Sequence, residues 1–160
     1  MSKLHSKQKG NIAEAAVILE LNKQGYSVFR EIGDLSKVDL IAEKDCKLLT
    51  FQVKGVTPKN GVITLSTKKA GPNYRFKYQS YMFNYFAVVN LETLQVAFIN
   101  SSICDKNKCG MTLKISRPKN NQSVYVFSDF CVLDGSSETI RATRKWDDIV
   151  QTTTETASES

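Results

Sequence analysis

Histidine is almost missing from this chain: His5 is the only one, and it stands at the extreme start. Chemistry that turns on an imidazole base, the serine–histidine–aspartate arrangement included, has only that residue to draw on and is set aside. Cysteine is scarce too. Cys46, Cys104, Cys109 and Cys131 are too few for a disulfide scaffold, and no second Cys/His pair joins Cys104 and Cys109 at zinc-ligand spacing. Reduced structural thiols are expected. No apolar run reaches the roughly 18 residues that a membrane-spanning helix needs. The basic start, residues 1–7, is not followed by an apolar stretch, so no secretory signal is read and a cytoplasmic protein is expected. A glycine-rich phosphate loop is also lacking. Residues 55–61 do not end in Gly-Lys-Ser/Thr, which argues against a nucleotide cofactor.

What is present is a basic chain of one domain's size. Its 160 residues suffice for a core, and its net charge of +6 favours a polyanionic partner. Residues 8–24 carry two apolar stripes at helical spacing: Ile12, Ala15, Ala16 and Leu19, then Val17, Ile18 and Leu21. They predict a helix packed on more than one side and ended by Gly25. Strands are expected over 26–32, 38–42 and 48–54, the last two as a hairpin. Further strands are expected over 62–66 and as a pair over 85–91 and 94–99. Residues 67–77 read as a basic loop with interleaved aromatics, and 100–104 as a strand extension or short helix. Residues 111–116 and 123–127 flank a hairpin-like loop. Residues 137–146 read as a short helix carrying Arg141, Arg144 and Lys145. The expected organisation is one α/β domain over 1–150 and a mobile Ser/Thr/Glu tail over 151–160.

The run Leu48-Leu49-Thr50-Phe51-Gln52-Val53-Lys54 alternates. Strand side chains repeat every two residues, so Leu49, Phe51 and Val53 share one face, and Gln52 and Lys54 share the other. The run Val38-Asp39-Leu40-Ile41-Ala42 places a lone carboxylate in another apolar strand. An antiparallel register around Asp45-Cys46 sets Asp39 opposite Gln52. A carboxylate, an amide and an ammonium then converge on one patch. Burying them costs free energy unless they are paired or hold an ion, which points to a metal-dependent site.

Glu14 lies on the leading helix with Val17, Ile18 and Leu21 ahead of it on its own face and Gly10 one turn behind, where a missing side chain admits another backbone. It either leans over the sheet toward this patch or is a helix-start glutamate favoured by the dipole. The other members also have ordinary readings. Lys54 suits a strand-end lysine with a buried stem, Gln52 a cross-strand polar contact, and Asp39 a partner for Lys37 or Lys54.

Glu14 on a leading helix, Asp39 on a second strand and Gln52-x-Lys54 on a third, in that order, resemble the PD-(D/E)XK nuclease superfamily. The segments Lys7-Gln8-Lys9-Gly10-Asn11-Ile12-Ala13-Glu14, Lys37-Val38-Asp39-Leu40-Ile41, Phe51-Gln52-Val53-Lys54 and Asn84-Tyr85-Phe86-Ala87-Val88-Val89 are similar to those of homing endonucleases encoded in bacterial group I introns, over residues 7–103. Ser36-Lys37-Val38 lack the family's proline, and Gln52 replaces its usual acid. The resemblance implies a restriction-endonuclease-like α/β core: a mixed central sheet with flanking helices. It implies a metal-dependent, sequence-specific double-strand DNA endonuclease, with Mg²⁺, or Mn²⁺ in its place, as cofactor. Asp39 would be the main ligand, joined by the Gln52 amide oxygen and the Val53 carbonyl. Glu14 would supply the charge that Gln52 lacks. Lys54 would orient the attacking water and offset charge on the phosphate.

Basic residues expected on DNA are Lys59; Lys68, Lys69, Arg75 and Lys77; and Arg117 with Lys119, where Gln122 adds an amide for reading bases. Solvated loops are the plain alternative for all of them. Cutting both strands needs two sites, so a homo-oligomer is expected; the resemblance implies a homotetramer, with a homodimer as the fallback. The apolar helix surface and Tyr81-Met82-Phe83 are candidate interfaces or ordinary core. Two other functions remain. A Holliday-junction resolvase uses a similar set, but Gln52 and the extra region 100–150 argue against it. A DNA-binding protein with a decayed nuclease core is favoured by Gln52 and opposed by the intact Asp39 and Lys54.

Overall fold

A computed structural model describes residues 4–106, 109–120 and 123–133 of the chain. Helix α1, Ser6–Lys23, opens it. It starts earlier than its apolar pattern because Gln8 reaches back to the first turn, where the His5 backbone N–H donates to Oε1 of Gln8 at 2.9 Å. Gly25 follows the helix at φ +89°, a conformation that glycine takes without a Cβ clash. Only one apolar stripe is covered. Ala13, Ala16, Val17 and Leu21 are buried, whereas Leu19 is 63% exposed. Among the described residues the helix therefore packs on one side, and nothing covers the second face that the sequence suggested.

Among the described residues ten strands follow: β1 (Ser27–Arg30), β2 (Leu40–Lys44), β3 (Lys47–Val56), β4 (Val62–Ser66), β5 (Lys68–Gly71), β6 (Tyr74–Lys77), β7 (Tyr85–Asn90), β8 (Val96–Asn100), β9 (Gly110–Lys114) and β10 (Tyr125–Val126). The central sheet has the order β1-β2-β3-β7-β8 and is antiparallel except at β3–β7. Strand β7 is an apolar run because both of its faces are covered, and it is buried along its whole length.

One face of this sheet carries α1, packed around Phe51, Tyr85, Ala87, Val89 and Phe98. Phe51 has no exposed surface, and burying such a ring contributes about 1.5–3 kcal/mol. Helix and sheet meet closely at Gly55, where a Cβ would lie 3.0 Å from that of Ala13. The other face packs Phe86, Val88, Ala97 and Ile99 against Ile63, Leu65 and Leu113. These last three belong to a second sheet of order β10-β9-β4. The mixed central sheet is as expected. Its flanks differ from the expected helices: among the described residues one face has a helix and the other a small sheet.

Two further segments depart from the sequence reading. Residues 67–77 form a ribbon, β5 paired antiparallel with β6, rather than a loop; Gly71 pairs with Tyr74 around a Pro72-Asn73 turn. Strands β9 and β10 pair in parallel, so they do not form the expected hairpin. Residues Ser101–Asp105 form a 3₁₀ turn in which Asn100 accepts from the Ser102 N–H. No described helix is long and apolar enough to cross a membrane. The predicted helix over 137–146, with Arg141, Arg144 and Lys145, lies outside the described residues, as do Gln122 and the tail over 151–160.

Candidate active site

The site grows from the β2–β3 hairpin. Asp45 and Cys46 both take positive φ, 52° and 60°, between the paired Lys44 and Lys47. A two-residue turn of this type matches the twist of the strands and fixes their register. The ladder runs to Leu40 opposite Phe51, so the next step outward sets Asp39 against Gln52. There the strands part and the Asp39 carboxylate enters the gap. Its Oδ2 accepts from the Val53 backbone N–H at 2.7 Å and from the Gln52 amide at 2.5 Å. The Asp39 N–H donates to the Phe51 carbonyl at 2.9 Å. The same Gln52 nitrogen lies 3.4 Å from the Val53 carbonyl. An amide N–H group thus sits between two oxygens of this chain.

The alternation places Gln52 and Lys54 on the face away from α1, beside Phe86 and Val88 of β7. Gln52 is 9% exposed. The Lys54 ammonium donates to the Tyr78 hydroxyl at 2.8 Å. Tyr78 is buried in an aromatic cluster, with ring centroids 5.2 Å from Phe76, 5.7 Å from Phe83 and 5.6 Å from Phe86. The sequence reading missed Tyr78. Its signal was the aromatic spacing of Tyr74, Phe76 and Tyr78 at the end of the basic segment.

Burial sets the electrostatics. It raises the Asp39 carboxyl above its ordinary pKa; the Val53 N–H opposes this, Glu14 and Asp34 add to it, and Lys54 opposes it. Burial also lowers the Lys54 ammonium to about 8, with Lys69 and Lys37 pushing the same way and Asp39 resisting. The Tyr78 hydroxyl is pushed up to about 12, mainly by burial and then by Asp39, so it stays neutral. The site therefore mixes a carboxyl of raised pKa with a lysine of lowered pKa, a pattern common where acid–base work is done.

Glu14 stands differently from either expectation. It lies well past the first turn of α1, so the helix-start reading does not hold. Its carboxylate pairs with Arg30 of β1 at 2.9 Å. It reaches Asp39 through charge alone. Gly10 faces open space within 4 Å among the described residues, so no described backbone approaches it. Among the described residues no three His, Cys, Asp or Glu side chains group to hold a metal. The oxygens that the hairpin does assemble are the Asp39 carboxylate and the Val53 carbonyl, with the Gln52 amide between them. The carboxylate and the carbonyl are hard oxygen donors suited to a divalent ion, and the Gln52 amide would join them only when turned to present its oxygen.

Of the basic residues expected on DNA, Lys59, Lys68, Lys69, Arg75, Arg117 and Lys119 are exposed and Lys77 is half-buried. In the ribbon, Lys68 stands opposite Lys77 and Ala70 opposite Arg75. One face therefore holds Lys68, Arg75 and Lys77, and the other holds Lys69 and Phe76. The described ion pairs involve none of these lysines nor Arg75, whereas Arg117 is paired with Asp129 at 2.5 Å. Phe83 is core; Tyr81 points outward, 74% exposed.

Residues 4–133 match the PD-(D/E)XK endonuclease family. No curated protein matches the chain. Among solved structures, the bacterial homing endonuclease I-Ssp6803I is similar in fold, with a TM-score of 0.63 at 20% identity over 79% of this chain and 88% of that one. Enzymes of this family generally use divalent metal ions. A family match over most of the chain joins the Asp39, Gln52-x-Lys54 hairpin, and on these grounds the chain belongs to the PD-(D/E)XK endonuclease family and is a DNA endonuclease.

Proposed function

We propose that this endonuclease cuts both strands of a specific DNA site in a metal-dependent reaction, in the manner of intron-encoded homing enzymes. The observation that carries this reading is the convergence of Asp39, Gln52 and Lys54 at the open end of one hairpin. Asp39, the Val53 carbonyl and the Gln52 amide, turned to present its oxygen, would hold the ion, with Glu14 adding negative charge nearby. Mg²⁺, or Mn²⁺ in its place, would supply charge shielding at the phosphate and a more acidic water. Lys54 supplies a cation on the same face. It holds the attacking water by one N–H and offsets the charge that develops on the phosphate as the water oxygen bonds to phosphorus and the P–O bond to the leaving strand breaks.

The ribbon supports DNA as the bound polyanion. Lys68 and Lys77 stand directly opposite one another, an arrangement that repels in the free protein and is relieved by phosphate. Lys59, Lys69 and Arg75 would add phosphate contacts; Arg117, held by Asp129, is the weaker candidate. One chain offers one Asp39–Gln52–Lys54 set, so a double-strand cut calls for a homotetramer or homodimer. The exposed Leu19, Ile32 and Leu35 are apolar surface for a second copy.

A cleavage assay on linear duplex and four-way-junction DNA, with and without Mg²⁺, tests the reading, with light scattering on the free and bound protein. Mg²⁺-dependent double-strand cutting of a defined duplex by an oligomer is expected. Preference for the junction would shift the reading to a resolvase. A monomer in both states would remove the oligomer.

A further inference from the structure

We propose that Tyr78 is the positioning residue for Lys54: its hydroxyl holds the ammonium on the strand face that carries Gln52 and ties it to the foot of the β5–β6 ribbon. This rests on the reading of Lys54 as part of the site. A lysine has four rotatable bonds, and an unheld ammonium on this face would leave the sheet for water. The Tyr78 hydroxyl accepts from Nζ at 2.8 Å, and the ammonium lies 4.5 Å from the ring centroid. Tyr78 itself cannot swing. It is 2% exposed, and Phe76, Phe83 and Phe86 contact its ring edge to face. Its backbone N–H donates to the Thr67 carbonyl at 2.9 Å, which closes the base of the ribbon.

The neighbouring cation is held in a similar way. The Lys37 ammonium lies 4.6 Å from the centroid of Phe76, the ring that meets Tyr78. Two lysines from either side of Asp39 and Gln52 are thus placed by two touching aromatic rings, both from the segment that follows the basic ribbon strand or belongs to it. A hydroxyl is the right group for this task. It accepts from the ammonium yet carries no charge to neutralise it, so Lys54 stays available to the phosphate.

The test is Tyr78→Phe, which removes one oxygen and keeps the ring. The expected result is a fall in kcat of about ten- to hundredfold, the loss typical of a misplaced catalytic group, with KM and DNA affinity within about twofold of the parent. Lys54→Met is measured beside it. If Lys54→Met cuts normally, the site reading itself fails; if it is inactive while Tyr78→Phe keeps its parental kcat, the positioning role alone is overturned. Parallel losses in kcat and in DNA affinity would also overturn it, because they mark a purely structural tyrosine. A second readout needs no activity. Tyr78→Phe should lower the melting temperature of the parent more than that of Lys54→Met, since only the parent is left with an ammonium lacking its acceptor. Equal shifts in both backgrounds would mean that the two side chains are not coupled.

Discussion

Gln52 donates its amide to the Asp39 carboxylate across the open end of the β2–β3 hairpin, 2.5 Å away, so a donor fills the place where the family pattern has an acid. An acid there would set two carboxylates against each other. One would take up a proton or a cation. Gln52→Glu should therefore melt lower than the parent in chelator, by about 1–3 kcal/mol for the lost buried contact, and recover with Mg²⁺. Gln52→Leu should leave Asp39 without this partner and lose cleavage. Melts of Gln52→Glu that ignore the metal, or full cutting by Gln52→Leu, would reduce Gln52 to a packing residue.

On the proposed reaction, Asp39→Ala and Lys54→Ala should each reduce cleavage by about a hundredfold or more and leave DNA affinity nearly intact, because both would act where charge develops. Gel shifts and nicking assays on the two variants check this. Full activity in either removes that residue from the site.

The lowered pKa of Lys54 fixes a sign. Between about pH 8 and the unfolded value of 10.5, the unfolded chain binds a proton at this position that the folded chain does not. Stability contributed by Lys54 therefore rises with pH across that window. In metal-free buffer the melting temperature of the parent should climb relative to Lys54→Met from pH 8 to pH 10. A constant difference across that range would show that the ammonium is not held in a buried setting.

The ribbon makes opposite demands on folding and binding. Lys68→Ala should stabilise the free protein by about 0.2–1 kcal/mol, since it removes a like-charge cross-strand pair with Lys77. The same change should flatten the slope of log affinity against log salt by about 0.9 and keep the preferred sequence. Thermal melts and salt-titrated binding test the two halves. An unchanged slope takes Lys68 out of the DNA footprint.

The hairpin was legible because two short-range rules act together there. The alternation of Leu49, Phe51 and Val53 sets the faces, and the Asp45-Cys46 turn sets the register. The partners from afar were not. Lys54 meets Tyr78 and Glu14 meets Arg30 only once the sheet and helix are assembled, and no local period encodes either contact. Leu19 misled for the converse reason: an apolar residue at helical spacing says that a face exists, not that anything covers it. The β5–β6 ribbon was hidden by its lysines, which suit a strand only because most of the ribbon stays exposed, Phe76 and Lys77 at its foot being half-buried.

The parallel pairing of β3 with β7 carries a consequence for the order in which the enzyme is made. Asp39 and Gln52 are joined through a two-residue turn, so their contact closes a short loop. Strand β7 reaches β3 only after residues 57–84 have been passed, and Tyr78 lies within that excursion. Closing the longer loop has the greater entropic cost, and parallel pairs of this kind form late. On the ribosome the β2–β3 hairpin emerges before Tyr78 and β7. A chain that has emerged only as far as β3 can thus set its carboxylate against its amide while Lys54 still lacks the aromatic wall that holds it, and the nascent polypeptide has no complete Asp39, Gln52, Lys54 and Tyr78 cluster until that excursion is in place.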